Sequence, residues 1–163
     1  MYLKITSRLS FVSQARDWLP DEIGGIFWFH LDNPDNSLAV PVWVGVNKIA
    51  PSWAVADRTK VNRDSAWWAF GLVDDQVNHL YGELKPVLDE VRVPLQKELF
   101  AKQDEIEQEA LKLYKTDPED AQEFLTEYTV STMERVEKAY WDILDVLLYK
   151  LNNNWFSFPQ MHR

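Results

Sequence analysis

No cysteine occurs among the 163 residues, and that absence closes several routes at once. It excludes a disulfide scaffold, thiolate-ligated zinc, iron–sulfur clusters and any Cys nucleophile supplied by this chain. Histidine is nearly as scarce: three scattered copies argue against a His-rich metal site. No apolar run reaches the roughly 18 residues that a membrane-spanning helix needs. The start, Met1-Tyr2-Leu3-Lys4-Ile5-Thr6, lacks the apolar stretch of a signal peptide. A cytoplasmic location is therefore expected, with export open if a preceding segment carried a signal. Basic residues are in deficit, 17 against 26 acidic, for a net charge of -9. That argues against a broad nucleic-acid footprint, which needs clustered Lys and Arg. Local catalytic signatures are missing too: there is no GxSxG, HExxH, Walker loop, GxGxxG or EF-hand loop. What is plentiful is aromatic: 8 Trp, 8 Phe and 6 Tyr in a chain that is 46% hydrophobic. That composition describes an acidic, Trp-rich globular piece, with one domain expected at this length.

The charge is not evenly spread. Residues 1–60 hold six basic and six acidic groups, whereas residues 61–163 hold 11 and 20, so all the excess is in the second part. Solvated helix faces are its simplest explanation. The pattern of apolar residues divides at the same place. Residues 1–60 read as short strands and turns. The strongest strand is residues 23–31, opened by Gly24-Gly25 and closed by Asp32-Asn33-Pro34-Asp35-Asn36. A second, residues 38–46, contains Pro41 and so belongs at an edge or a bulge. The two are expected to form an antiparallel hairpin, with one or two more strands within residues 1–12.

From residue 64 the period becomes helical. Asp64-Ser65 is an N-cap candidate, and Ala66, Phe70, Val73, Val77 and Leu80 make a stripe that Gly82 should stop. The next helix is expected from about residue 84 to 114, with Pro86 in its first turn and Pro94 inside it, striped by Leu88, Val91, Leu95, Leu99, Ile106, Ala110 and Leu113. Asp117-Pro118-Glu119 reads as N-cap, N1 proline and acidic first turn of a last helix, which carries Phe124, Tyr128, Val136, Tyr140, Ile143, Leu147 and Leu151. The two long helices should form an antiparallel hairpin. The fold class is α+β: a single incomplete domain over residues 1–163, with a strand layer at 1–60 and a helical layer at 61–163. Helices can cover one face of such a small sheet. The other face would remain apolar and open, which points to a partner layer that this chain does not contain.

Few residues stand out for chemistry. Gly24-Gly25 fits turn geometry better than phosphate binding. His30 lies in an apolar strand and reads as a structural histidine; His79 and His162 read as surface groups. Of Trp67 and Trp68, which point about 100° apart on a helix, at least one should be core. The acidic residues of 104–120 are dispersed at surface spacing and make no metal box. Arg16, at the end of a strand, can bind a carboxylate bidentately; an ion pair with Asp17 or Asp21 is the structural alternative.

Four blocks in order carry a resemblance: Ser10-Phe11-Val12-Ser13-Gln14-Ala15-Arg16 with Pro20, Ile23-Gly24-Gly25-Ile26-Phe27-Trp28, Val40-Pro41-Val42-Trp43-Val44-Gly45-Val46, and Asp64-Ser65-Ala66-Trp67-Trp68-Ala69-Phe70. Together they resemble the C-terminal half of the N-terminal-nucleophile (Ntn) cysteine dipeptidases, a family that includes the secernins, through about Asn154. The resemblance implies part of a four-layer αββα sandwich. It also implies a Cys nucleophile that is the first residue of its mature chain, activated by its own α-amino group. Dipeptides would be the substrates, and neither metal nor organic cofactor is implied. The chain departs from that pattern in having no cysteine, so by itself it is expected to be inactive. The missing N-terminal half or a partner layer would complete it. Arg16 is the residue expected near the active site, with Gln14 and Trp28 as weaker pocket candidates. A non-catalytic secernin-like interaction protein, or an inert fragment that forms a homodimer through the open face, are the alternatives. No nucleic-acid or membrane partner is expected.

Overall fold

The structure, a computed structural model, describes residues 9–55, 57 and 59–153. Three strands, β1 (Leu9–Ala15), β2 (Gly25–Leu31) and β3 (Val40–Trp43), form one antiparallel sheet in the order β1-β2-β3. A single helical turn, α1 (Asp21–Gly24), leads into β2. The helices α2 (Ala66–His79), α3 (Tyr81–Tyr114) and α4 (Pro118–Asn152) follow. The protein is therefore α+β, with short antiparallel strands first and a long helical hairpin after. Any strand within residues 1–8, and His162, lie outside the described residues.

The sheet is a meander set by register. Phe11 faces Phe29 and Val12 faces Trp28 across β1 and β2, while Trp28 faces Pro41 and Ile26 faces Trp43 across β2 and β3. Opposed residues share a face, so Ile26, Trp28, Pro41 and Trp43 look one way and Phe27, Phe29, Val40 and Val42 the other. The first set is buried beneath the hairpin. Trp28 meets Phe100 of α3 edge to face at 4.6 Å, and Trp43 meets Tyr128 of α4 at 5.8 Å. Burying one such side chain is worth about 1.5–3 kcal/mol or more, so these aromatics fix the hairpin on this side. Pro41 has no N–H to give and sits on the edge strand, as its chemistry requires.

Several local expectations shift. Ile23-Gly24 belong to α1, not to a strand. Neither glycine of the pair is left-handed; they are small because the chain is crowded. A Cβ on Gly24 would lie 2.5 Å from the Arg16 carbonyl, and one on Gly25 would lie 2.5 Å from Val44 Cγ2. The second strand shortens to four residues. Asp32 takes a positive φ of 64°, and the chain then turns through Asn33 and Asn36. Gly82 does not stop α2: that helix ends at His79 with Leu80 as its C-cap, and Gly82 sits in the first turn of α3. Pro86 consequently falls in the second turn rather than the first. Ser65 holds the N-cap position of α2 but donates its hydroxyl to the Val55 carbonyl at 2.6 Å instead. Asp117 behaves as its sequence says, accepting from the Glu119 N–H at 2.9 Å ahead of Pro118. On the α3 stripe Leu88, Leu99 and Ala110 are buried, but Val91 is exposed.

Candidate functional site

Arg16 emerges where β1 ends, and its guanidinium turns inward, into a cleft between the sheet end and α3. Nε donates to the Gly24 carbonyl at 3.2 Å and Nη2 to the Ile23 carbonyl at 3.2 Å. Two parallel bonds then reach Glu107: Nη1 to Oε2 at 2.5 Å and Nη2 to Oε1 at 2.7 Å. The partner is thus neither Asp17 nor Asp21 but a carboxylate 91 positions away. Both side chains are largely buried, at 14% and 7% exposed. A bidentate pair of this kind is strong only because each partner's remaining bonds are satisfied. Glu107 meets that condition, since Trp43 Nε1 donates to it at 3.3 Å and Gln103 Nε2 at 2.9 Å. Gln103 Nε2 also donates to Gln14 Oε1 at 3.0 Å.

Two of the three expected site residues, Arg16 and Gln14, therefore meet in one polar network. Trp28 is not in it; it lies buried on the helix side of β2 under Phe100. Glu107 and Gln103 escaped the sequence reading. The acidic residues of 104–120 were expected on the surface, and Glu107 is the exception. A signal existed: Leu99, Gln103, Glu107 and Ala110 recur at four, four and three, so both polar residues continue the buried stripe. Beside the network lies an open cleft of about 310 Å³ lined by Arg16, Trp18, Leu19, Asp104, Gln108 and Leu111.

The remaining marked residues are structural. His30 Nδ1 lies 3.2 Å from Ser37 Oγ, and burial first, then the Arg92 charge, holds its pKa below the ordinary value. His79 is exposed. Trp67 and Trp68 meet edge to face at 5.0 Å, both half-buried, and Trp68 Nε1 donates to the Asp57 carbonyl at 2.7 Å. Among the described residues no group of three or more His, Cys, Asp or Glu is placed to hold a metal ion.

The sheet face opposite Trp28 and Trp43, which Met133 of α4 reaches at one side, is the second feature. Trp53 reaches over Phe29, 6.4 Å between ring centres, and Val40 is buried. Beyond them the face is open. Leu9, Phe11 and Phe27 are 52%, 56% and 41% exposed. With Phe29, Val42 and Ile49 they line an apolar groove of about 400 Å³. No helix among the described residues is long and apolar enough to cross a membrane.

Comparison with known proteins locates these features. The family described as peptidase family C69 matches residues 4–93, which takes in the whole sheet, α1, α2 and the start of α3. That is just over half of the chain and includes all four sequence blocks; the greater part of the helical hairpin lies beyond it. No curated protein matches the chain. From its first strand to the first turns of α3, the chain belongs to peptidase family C69, the family of cysteine dipeptidases that includes the secernins.

Proposed function

We propose that this chain supplies one sheet-and-helix layer of a cysteine-type dipeptidase, and that the nucleophile stands on a cysteine-bearing part outside these 163 residues. The observation that carries the reading is the open apolar sheet face of Leu9, Phe11 and Phe27 in a family of cysteine peptidases whose cysteine this chain lacks. A second layer laid on that face would make the αββα sandwich. In the completed enzyme the α-amino group of the N-terminal Cys takes the thiol proton. The thiolate attacks the dipeptide carbonyl, and the proton passes to the departing amine. Water then cleaves the thioester and releases the second amino acid. The reading invokes no metal or organic cofactor. Arg16 enters it as a positioning residue that holds the end of β1 and the Ile23 and Gly24 carbonyls, with Gln14 beside it.

The test is reconstitution. A full-length family member is split at the position matching Met1, and its two halves serve as the positive control. This chain is then mixed with the cysteine-bearing half. Dipeptide cleavage by the mixture, with none by the chain alone, is expected. A tight complex that cleaves nothing, while the control halves are active, overturns the reading. The same result would favour a non-catalytic, secernin-like role, to which the internal saturation of Arg16 by Glu107, Ile23 and Gly24 lends support.

A further inference from the structure

We infer that the outer edge of β1 is where the sheet takes its next strand, and that the strand comes from the cysteine-bearing part. The inference rests on the reading above and adds the edge through which the two parts join. A sheet has two edges, and in this one they are built differently. The β3 edge is closed. It is four residues long and includes Pro41, which cannot donate. Just before it, both backbone groups of Ala39 are taken by the Gln96 side chain: the Ala39 N–H donates to Oε1 at 2.7 Å, and Nε2 donates to the Ala39 carbonyl at 3.2 Å. Just after it the chain turns off the edge, the Gly45 N–H donating to the Glu22 carbonyl at 3.0 Å.

From Ser10 to Ala15 the β1 edge shows none of these devices among the described residues. Its seven residues, Leu-Ser-Phe-Val-Ser-Gln-Ala, contain no proline and no charge. Among the described residues β2 is its only strand neighbour. An edge of this length and composition is a template for pairing unless something covers it.

Side-chain exposure decides the occupant. At β1, apolar surface is open on both faces at once: Phe11 is 56% exposed on the open face, and Val12 is 60% exposed on the helix side. Phe100, which packs on Trp28 there, is itself 51% exposed. A layer stacked on the open face covers Phe11 and leaves Val12. A second copy paired through β1 continues the sheet but leaves both copies of the Phe27 face bare, and it brings two chains of net charge -9 together. A strand added to β1 by the same part that supplies the facing layer lets Phe11, Val12 and Phe27 all be covered at once. Its composition follows from what it meets: uncharged and apolar on both faces, like a strand inside a covered sheet.

Hydrogen exchange of the β1 and β3 amides tests this, in the chain alone and after mixing with the cysteine-bearing half. On mixing, the outward-facing amides within residues 10–15 should exchange at least about tenfold more slowly, as in a newly paired strand. The β3 amides should not change. If the mixture cleaves dipeptides yet β1 gains no protection, or β3 gains it instead, the edge assignment is wrong and the dipeptidase reading stands. If no complex forms and no cleavage appears, the dipeptidase reading fails and takes the assignment with it. Concentration-dependent protection of β1 in the chain alone would assign the edge to a second copy and overturn the inference.

Discussion

At the scale of single residues, Arg16 and Glu107 carry the sharpest expectation. Each is buried against the other, so removing one leaves an unpaired charge in a low-dielectric site. Glu107→Ala and Arg16→Ala should each cost about 3–5 kcal/mol in urea unfolding. The double variant Arg16→Met with Glu107→Leu should recover most of that loss, because no charge is then stranded. Single-variant losses below about 1 kcal/mol would show the pair to be solvated. In a reconstituted enzyme Arg16→Lys separates roles further: a positioning Arg16 predicts a fall in kcat at nearly unchanged KM. Titration gives a second expectation. Folding lowers the pKa of His30, so the unfolded chain binds a proton that the native protein resists, and stability rises with pH across that window. Stability should therefore decline as pH falls below about 6.5, and His30→Gln should flatten that limb of the profile. Asp89 acts in a lower window. Burial would raise it, but hydrogen bonds from Lys85 and Arg92 outweigh burial and hold it below its ordinary value. Its contribution is present above the ordinary carboxylate range and is lost as pH falls through the lowered value.

Among the elements, the helices were the most legible in sequence because their signals are local. Asp117-Pro118 marks the hairpin turn through cap chemistry alone. Asp117→Ala should cost about 1 kcal/mol, measured by thermal or urea unfolding, and no loss would mean the turn is held by packing. What sequence could not show depends on partners far along the chain. Gly82 looks like a stop signal, but α3 begins at Tyr81 and absorbs it. Ser65 looks like a capping hydroxyl, but the Val55 carbonyl competes for it. Glu107 looks like surface charge because its donors come from the residue after β1, from β3 and from its own helix at once. Five residues of the second expected strand, 38, 39 and 44 to 46, fall outside it because the Ala39 backbone is taken by the Gln96 side chain and Gly45 turns back to the Glu22 carbonyl. The site was legible to the extent that Arg16 was singled out, and opaque in its partner.

For the molecule as a whole, the two faces predict different behaviour in solution. With Leu9, Phe11 and Phe27 exposed together, the chain alone should bind a hydrophobic dye and associate as concentration rises. Phe11→Ser with Phe27→Ser should suppress both by light scattering and fluorescence. These side chains are half exposed, so the variant should unfold within about 1–2 kcal/mol of the parent. A parent chain that is monodisperse and dye-silent would mean the groove is closed in solution.

The strand sequences hold one consequence more. β1, β2 and β3 together contain no Asp, Glu, Lys or Arg, whereas the net charge of -9 arises entirely beyond residue 60. The molecule is thus electrically one-sided. Ionic strength then becomes a compass for any partner found later. Binding to the sheet should hold nearly constant as salt rises past the ~10 Å screening length of 0.1 M, while a cationic partner on the helices should be released.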